Sequence, residues 1–214
     1  MDRATLYYVH DPMCAWCWAF RPMWRTLQRR LAARWSDAVA ITACVGGLAP
    51  DSDQPMPPAM REYLQQVWRR IAETVPGVRF NADFWRRCEP RRSTYPACRA
   101  VLAARRLARS SEDAMVLAIQ QAYYLHARNP SDAAVLTDCA AAVGLAPAAF
   151  DAAFHDPARH AELAQELRFV RSLGVTGFPS LVLRTPTGRA PIAPHYTDVD
   201  AMLSAIEAAL VRTP

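Results

Sequence analysis

The chain has 214 residues, 52% of them hydrophobic and 21% charged, which suits a folded globular protein and excludes wholesale disorder. Six cysteines at this length are too few for a secreted disulfide scaffold, and no run approaches the roughly 18 apolar residues of a membrane span. The net charge of +5 rests on arginine alone, lysine being absent; with no recognition motif beside it, it reads as solvated helix faces and not as a nucleic-acid surface.

Thr5-Leu6-Tyr7-Tyr8-Val9 is a β-rich run closed by Asp11-Pro12 and predicts a buried strand. It is too brief for the apolar region of a secretory leader, so the expected location is the cytoplasm, where a CxxC pair is catalytic or metal-binding more often than structural. From Cys14 to about Trp35, the residues Phe20, Met23, Trp24, Leu27 and Leu31 recur at spacings of three and four, a helix with Pro22 inside it as an expected kink. Val39-Ala40-Ile41-Thr42-Ala43-Cys44-Val45 is a second strand ended by Gly46-Gly47. Strand, helix and strand in such a short stretch make the parallel unit of an α/β fold.

A Pro-rich loop over residues 49–58 changes the character of the chain. Helices follow and no convincing strand: a stripe of Met60, Tyr63, Leu64, Val67, Trp68 and Ile71, then helices near 95–108, 113–126 and 132–143, the last closed by Gly144. Trp68, Trp85, Tyr123 and Tyr124 read as core aromatics. A helix carrying Leu163, Leu167, Val170 and Leu173 ends at Gly174. Ser180-Leu181-Val182-Leu183 is again a strand, Pro186-Thr187-Gly188 a turn, and residues 190–193 a second arm whose proline confines it to a sheet edge. The last helix is expected from Thr197, with Asp200 completing a weak capping box. Neither α/β piece has enough strands to stand alone. The economical solution is one discontinuous domain, residues 1–55 with 158–214, carrying residues 56–157 as an inserted helical domain.

The chemistry concentrates at Cys14-Ala15-Trp16-Cys17. This spacing sets two thiols one turn apart where a helix follows a strand, and the free N–H groups and dipole at a helix start stabilise a thiolate. Cys14, at the tip, is the expected nucleophile, and Cys17, one turn in, the thiol that resolves the mixed disulfide. Half a zinc site is the competing reading, but it needs a second ligand pair; Cys44, Cys88, Cys98 and Cys139 are solitary and the histidines share no ligand spacing, so no metal is expected. Trp16 and Trp18 read as an exposed apolar platform around the pair. Asp11 reads as a support, capping the helix in preference to accepting a proton. His10, alone at a strand end, reads as structural. Gly177-Phe178-Pro179 precedes an apolar strand, and an X-Pro bond there can be cis, which presents the preceding backbone to a peptide lying across Cys14.

The set Tyr7-Tyr8-Val9-His10-Asp11-Pro12, Cys14-Ala15-Trp16-Cys17, the helical insertion and Gly174-Val175-Thr176-Gly177-Phe178-Pro179 resembles the DsbA-like branch of the thioredoxin superfamily, nearest its cytoplasmic FrnE-like and isomerase-like members. The resemblance covers essentially the whole chain. It implies a thioredoxin-like α/β fold with a large all-helical insertion and a thiol–disulfide oxidoreductase acting on protein or small-molecule disulfides. It also implies Pro179 as the cis proline, Phe178 as the substrate-contacting residue before it, and the segment opening at Ser93 and reaching Cys98 as the wall across the cleft from Cys14. Cys98 itself reads as a buried small residue. No cofactor is implied, with glutathione as an admissible redox partner. The alternative is a glutathione-dependent transferase or isomerase of the kappa-class type, against which Cys14 stands where those proteins usually carry Ser. The periplasmic enzyme has Pro-His between its cysteines. Ala15-Trp16 supplies no such charge, which implies a couple nearer the roughly −200 to −270 mV of glutaredoxins and thioredoxin than the roughly −120 mV of DsbA.

Overall fold

A computed structural model describes residues 3–211. Strands β1 (Ala4–His10), β2 (Val39–Val45), β3 (Ser180–Thr185) and β4 (Gly188–Ile192) form one sheet in the order β2-β1-β3-β4. β1 and β2 run parallel, Ala4 opposite Val39 and His10 opposite Val45, because helix α1 (Ala15–Trp35) carries the chain back along the sheet between them. β3 is antiparallel to β1, with Leu183 opposite Leu6, and β4 returns from it over Pro186-Thr187. β4 is an edge strand, as its proline requires: Pro191 has no N–H to offer a further neighbour.

Alternation along β1 decides what covers each face. Ala4, Leu6 and Tyr8 meet Phe20, Trp24, Leu27 and Leu31 of α1 and Met202, Leu203 and Ile206 of the last helix. Tyr7 and Val9 point the other way, toward Val182 of β3 and Val170 and Leu173 of the helix before β3. Burying each large apolar side chain contributes about 1.5–3 kcal/mol, so this patterning fixes the layers.

Between β2 and β3 lie α2 (Pro58–Thr74), α3 (Phe84–Arg87), α4 (Tyr95–Leu107), α5 (Ser111–Tyr124), α6 (Ala133–Ala142), α7 (Pro147–His155) and α8 (Ala158–Ser172). α2 to α7 close around Trp68, Phe84, Leu102, Met115, Ile119 and Phe150, and this core also takes Met13 and Val45 from the end of the sheet. α8 serves both cores, Leu163 and Leu167 facing the helical block and Val170 and Leu173 the sheet. It ends where Gly174, at φ +79°, returns its N–H to the Arg171 carbonyl at 3.0 Å. α3 and α7, of four and nine residues, are too short for the periodicity that exposes the other helices.

The final helix, α9 (Val199–Val211), begins two residues later than the sequence suggests. Asp198, not Thr197, takes its first amides: Oδ1 accepts from Asp200 N at 2.9 Å and Ala201 N at 3.0 Å. The Asp200 side chain is engaged instead by Arg30 of α1 at 2.8 Å.

Candidate active site

The chain leaves β1 at His10 and enters α1 through Asp11-Pro12-Met13, with Cys14 as the N-cap residue in extended geometry (φ −83°, ψ 118°). The Cys14 N–H donates to the Asp11 carbonyl at 3.0 Å, and its own carbonyl accepts from Trp18 N at 3.0 Å. Its thiol points across to the other end of the chain, Sγ donating to the Phe178 carbonyl at 3.6 Å. Cys14 is 6% exposed and Cys17 not at all, so only the first thiol can meet a substrate. Burial pushes the Cys17 thiol well above its ordinary pKa, and the adjacent Cys14 adds to the rise.

Phe178 is held from behind. Gly46, just beyond β2, has no side chain, and a methyl group there would overlap the Phe178 ring. The Phe178–Pro179 peptide bond is cis.

Asp11 does more than the cap expected of it, and does it elsewhere. Cys14 is itself the N-cap and no side chain caps α1. The buried Asp11 carboxylate turns back on its own loop, Oδ1 accepting from Met13 N at 2.7 Å. Its Oδ2 accepts from Leu48 N at 2.7 Å, Thr94 Oγ1 at 2.7 Å and Cys98 Sγ at 3.6 Å. Three segments far apart in sequence therefore close on one carboxylate beneath Cys14. Burial raises the Asp11 pKa although each of these donors opposes the rise. Cys98 stays a thiol, pushed well above its ordinary range by burial and by Asp11.

The two tryptophans part company. Trp16 lines the cleft and meets Tyr196 edge-on at 5.3 Å. Trp18, about 200° further round the helix, stacks on Tyr124 at 5.8 Å and donates Nε1–H to the Arg79 carbonyl at 3.1 Å. The expected platform thus has one member, because residues two apart on a helix face opposite sides.

The cleft holds about 190 Å³ and is lined by Cys14, Trp16, Leu48, Leu64, Val67 and Phe178 among others, with Arg91, Arg92, Ser93 and Thr94 opposite. α2 buries only Trp68 and Ile71 of its apolar stripe; Tyr63 is 58% exposed and, with Leu64 and Val67, faces the cleft. Periodicity reveals an apolar face but not whether protein or substrate covers it. Sequence reasoning passed over Tyr196 and Arg92, whose positions come from packing and leave no local signal; Tyr124 is the core aromatic expected, and Thr94 lies in the segment expected across the cleft.

His10 is buried, stacks on Tyr8 at 5.0 Å, and is pushed down to about 3, chiefly by burial and then by Arg21 and Arg105. It is neutral at physiological pH and brings no charge to the thiols. Among the described residues no group of three or more His, Cys, Asp or Glu side chains is placed to hold a metal ion.

The Tyr124 hydroxyl, from α5, donates to the Met13 carbonyl at 2.7 Å in a buried setting. Tyr124→Phe leaves that acceptor unpaired and should cost about 1–2 kcal/mol, read as a lower urea midpoint at unchanged m-value.

Comparison with known proteins agrees with this architecture. The description DSBA-like thioredoxin domain matches residues 5–207. A solved structure from Nitrosomonas europaea shares the fold at TM-score 0.83 over 100% of both chains, at 24% identity. The cytosolic disulfide reductase DsbM from Pseudomonas aeruginosa is 28% identical, with a TM-score of 0.76 over 98% of this chain and 100% of that one. The same protein solved with GSH aligns over 97% of this chain and 99% of its own at 27% identity and TM-score 0.74. The ClpXP adapter protein SpxH from Halalkalibacterium halodurans is 24% identical over 83% of this chain, which spans 57% of that relative's length. No helix among the described residues is long and apolar enough to cross a membrane. With the family description matched from the first strand into the last helix, the chain belongs to the DSBA-like thioredoxin domain family, that of the DsbA-like thiol–disulfide oxidoreductases.

Proposed function

We propose that the protein is a dithiol oxidoreductase that reduces protein or small-molecule disulfides in the cytoplasm, with Cys14 attacking and Cys17 resolving. The observation that carries this reading is the asymmetry of the pair: Cys14 Sγ faces the cleft beside the Phe178 carbonyl, while Cys17 is wholly buried one turn behind it. The Cys14 thiolate attacks one sulfur of the substrate disulfide; that S–S bond breaks, a mixed disulfide forms and the first substrate thiolate leaves. Cys17 then loses its proton and attacks the Cys14 sulfur, closing the Cys14–Cys17 disulfide and releasing the second thiolate. The substrate gains two electrons and the pair loses two. A thiol reductant, for which glutathione is our candidate, restores the dithiol.

Trp16 and Phe178 serve as apolar walls for the substrate, Pro179 fixes the segment carrying Phe178, and Asp11 supports the loop that carries Cys14. The Pseudomonas aeruginosa relative, described as a cytosolic disulfide reductase and solved with GSH, supports both the compartment and the candidate reductant.

The test is reduction of insulin disulfides with dithiothreitol, alongside titration of the pair against glutathione buffers. Wild type should turn over, Cys14→Ser should not, and the pair should titrate as one two-electron couple near about −200 to −270 mV. A potential above about −150 mV would refute the reducing direction. Absence of both turnover and a reversible pair would favour the glutathione-dependent transferase or isomerase reading.

A further inference from the structure

The cleft beside Cys14 contains a cation that the protein itself does not use. Arg92 lines it, half-buried, and among the described residues its guanidinium makes no hydrogen bond or ion pair. Its neighbour Arg91 is committed, meeting the Asp132 carboxylate and donating to the Ser131 carbonyl at 2.7 Å. The more deeply buried arginines are matched too: Arg21 with Asp113, Arg99 with Asp51, and Arg105 with Glu112 and Glu166. No Asp or Glu lines the cleft, and its other walls are largely apolar.

A guanidinium held partly out of water with no counter-charge has lost hydration without recovering it, and a carboxylate arriving in the same cleft would restore the balance through a charge-assisted, two-pronged hydrogen bond. Apolar walls strengthen such a contact by lowering the local dielectric. We infer that Arg92 is a substrate-recognition residue, and that the disulfides preferred at Cys14 are small ones bearing carboxylates. The cleft volume of about 190 Å³ suits one half of such a molecule. This inference rests on Cys14 being the attacking thiol and adds the charge of what it attacks.

The experiment is single-turnover oxidation of the reduced protein at low ionic strength, followed by its tryptophan fluorescence, to which Trp16 and Trp18 beside the pair contribute. The oxidants are oxidised glutathione (anionic), bis(2-hydroxyethyl) disulfide (neutral) and cystamine (cationic). Each reaction consumes one disulfide, closes Cys14–Cys17 and releases two thiols, so no recycling reductant is needed. The readout is the ratio of second-order rate constants for glutathione disulfide over cystamine, in which any inactive fraction of a variant cancels. Wild type should favour the anion, Arg92→Gln should lower the ratio about tenfold or more, Arg92→Lys should keep most of it, and Arg92→Glu should invert it. An unchanged ratio in Arg92→Gln overturns the inference and leaves the dithiol reading in place. Failure of all three oxidants to oxidise wild type removes both.

Discussion

Cys17→Ser should stall the protein at its first mixed disulfide, with turnover at least about a thousandfold below wild type and the Cys14 adduct visible by intact mass. On the proposed mechanism the resolving thiol lies one helical turn from the sulfur it attacks, and well-oriented intramolecular reactions reach effective molarities of about 10⁵ M or more. Without it an external thiol at about millimolar concentration must enter a cleft of about 190 Å³ and compete with the substrate half already there. Burial works against Cys17, since it keeps the thiol protonated well above its ordinary range. Forming the mixed disulfide removes the Cys14 contributions to that rise and leaves the burial contribution. The resolution step should therefore quicken as pH rises through the neutral and alkaline range, because the thiolate fraction grows with pH below a raised pKa. A stopped-flow pH series on wild type, with Cys17→Ser as the non-resolving control, checks the sign. Turnover of Cys17→Ser within tenfold of wild type would exclude a resolving role.

Asp11→Ala should be the most destabilising substitution near the site, by about 3–5 kcal/mol. One buried carboxylate satisfies the Met13 and Leu48 amides and the Thr94 hydroxyl, and each donor left buried and unpaired carries its own desolvation cost. Asp11→Asn keeps one acceptor oxygen but turns an NH₂ toward donors, so its loss should be smaller without vanishing. The pH dependence separates charge from hydrogen bonding. Because burial raises the folded pKa of Asp11, the folded state holds its proton to higher pH than the unfolded chain does. The stability this contributes is fully present below the unfolded pKa and is lost as pH rises through the folded one. Urea unfolding from acid to neutral pH should thus show the gap between wild type and Asp11→Asn widest at the acid end and narrowing upward. A gap that widens with pH would mean that the donors, not burial, govern this carboxylate.

Much of the molecule was legible in one dimension. Alternation in Leu6, Tyr8 and Val9, and the three-and-four spacing of Phe20, Trp24, Leu27 and Leu31, set β1, α1 and the parallel β1–β2 pair, because burial acts on every residue of an element at once. Pro191 placed β4 at the edge, and two cysteines at a helix start marked the candidate site. What the sequence could not reveal depends on single contacts between distant segments. Cys14 meets the Phe178 carbonyl across 164 positions, and Asp11 meets Thr94 across 83. Trp18 turned inward and Tyr63 outward for the same reason: a helix's apolar stripe is visible locally, but which neighbour covers it depends on how the helices cross. By itself the sequence determined the strands and the longer helices, their order and the candidate thiol pair, through short-range periodicity and backbone chemistry. Only the tertiary structure decided the clasp at Asp11, the cleft and the unpaired Arg92 within it, because packing geometry, not residue type, determines which buried polar groups find partners.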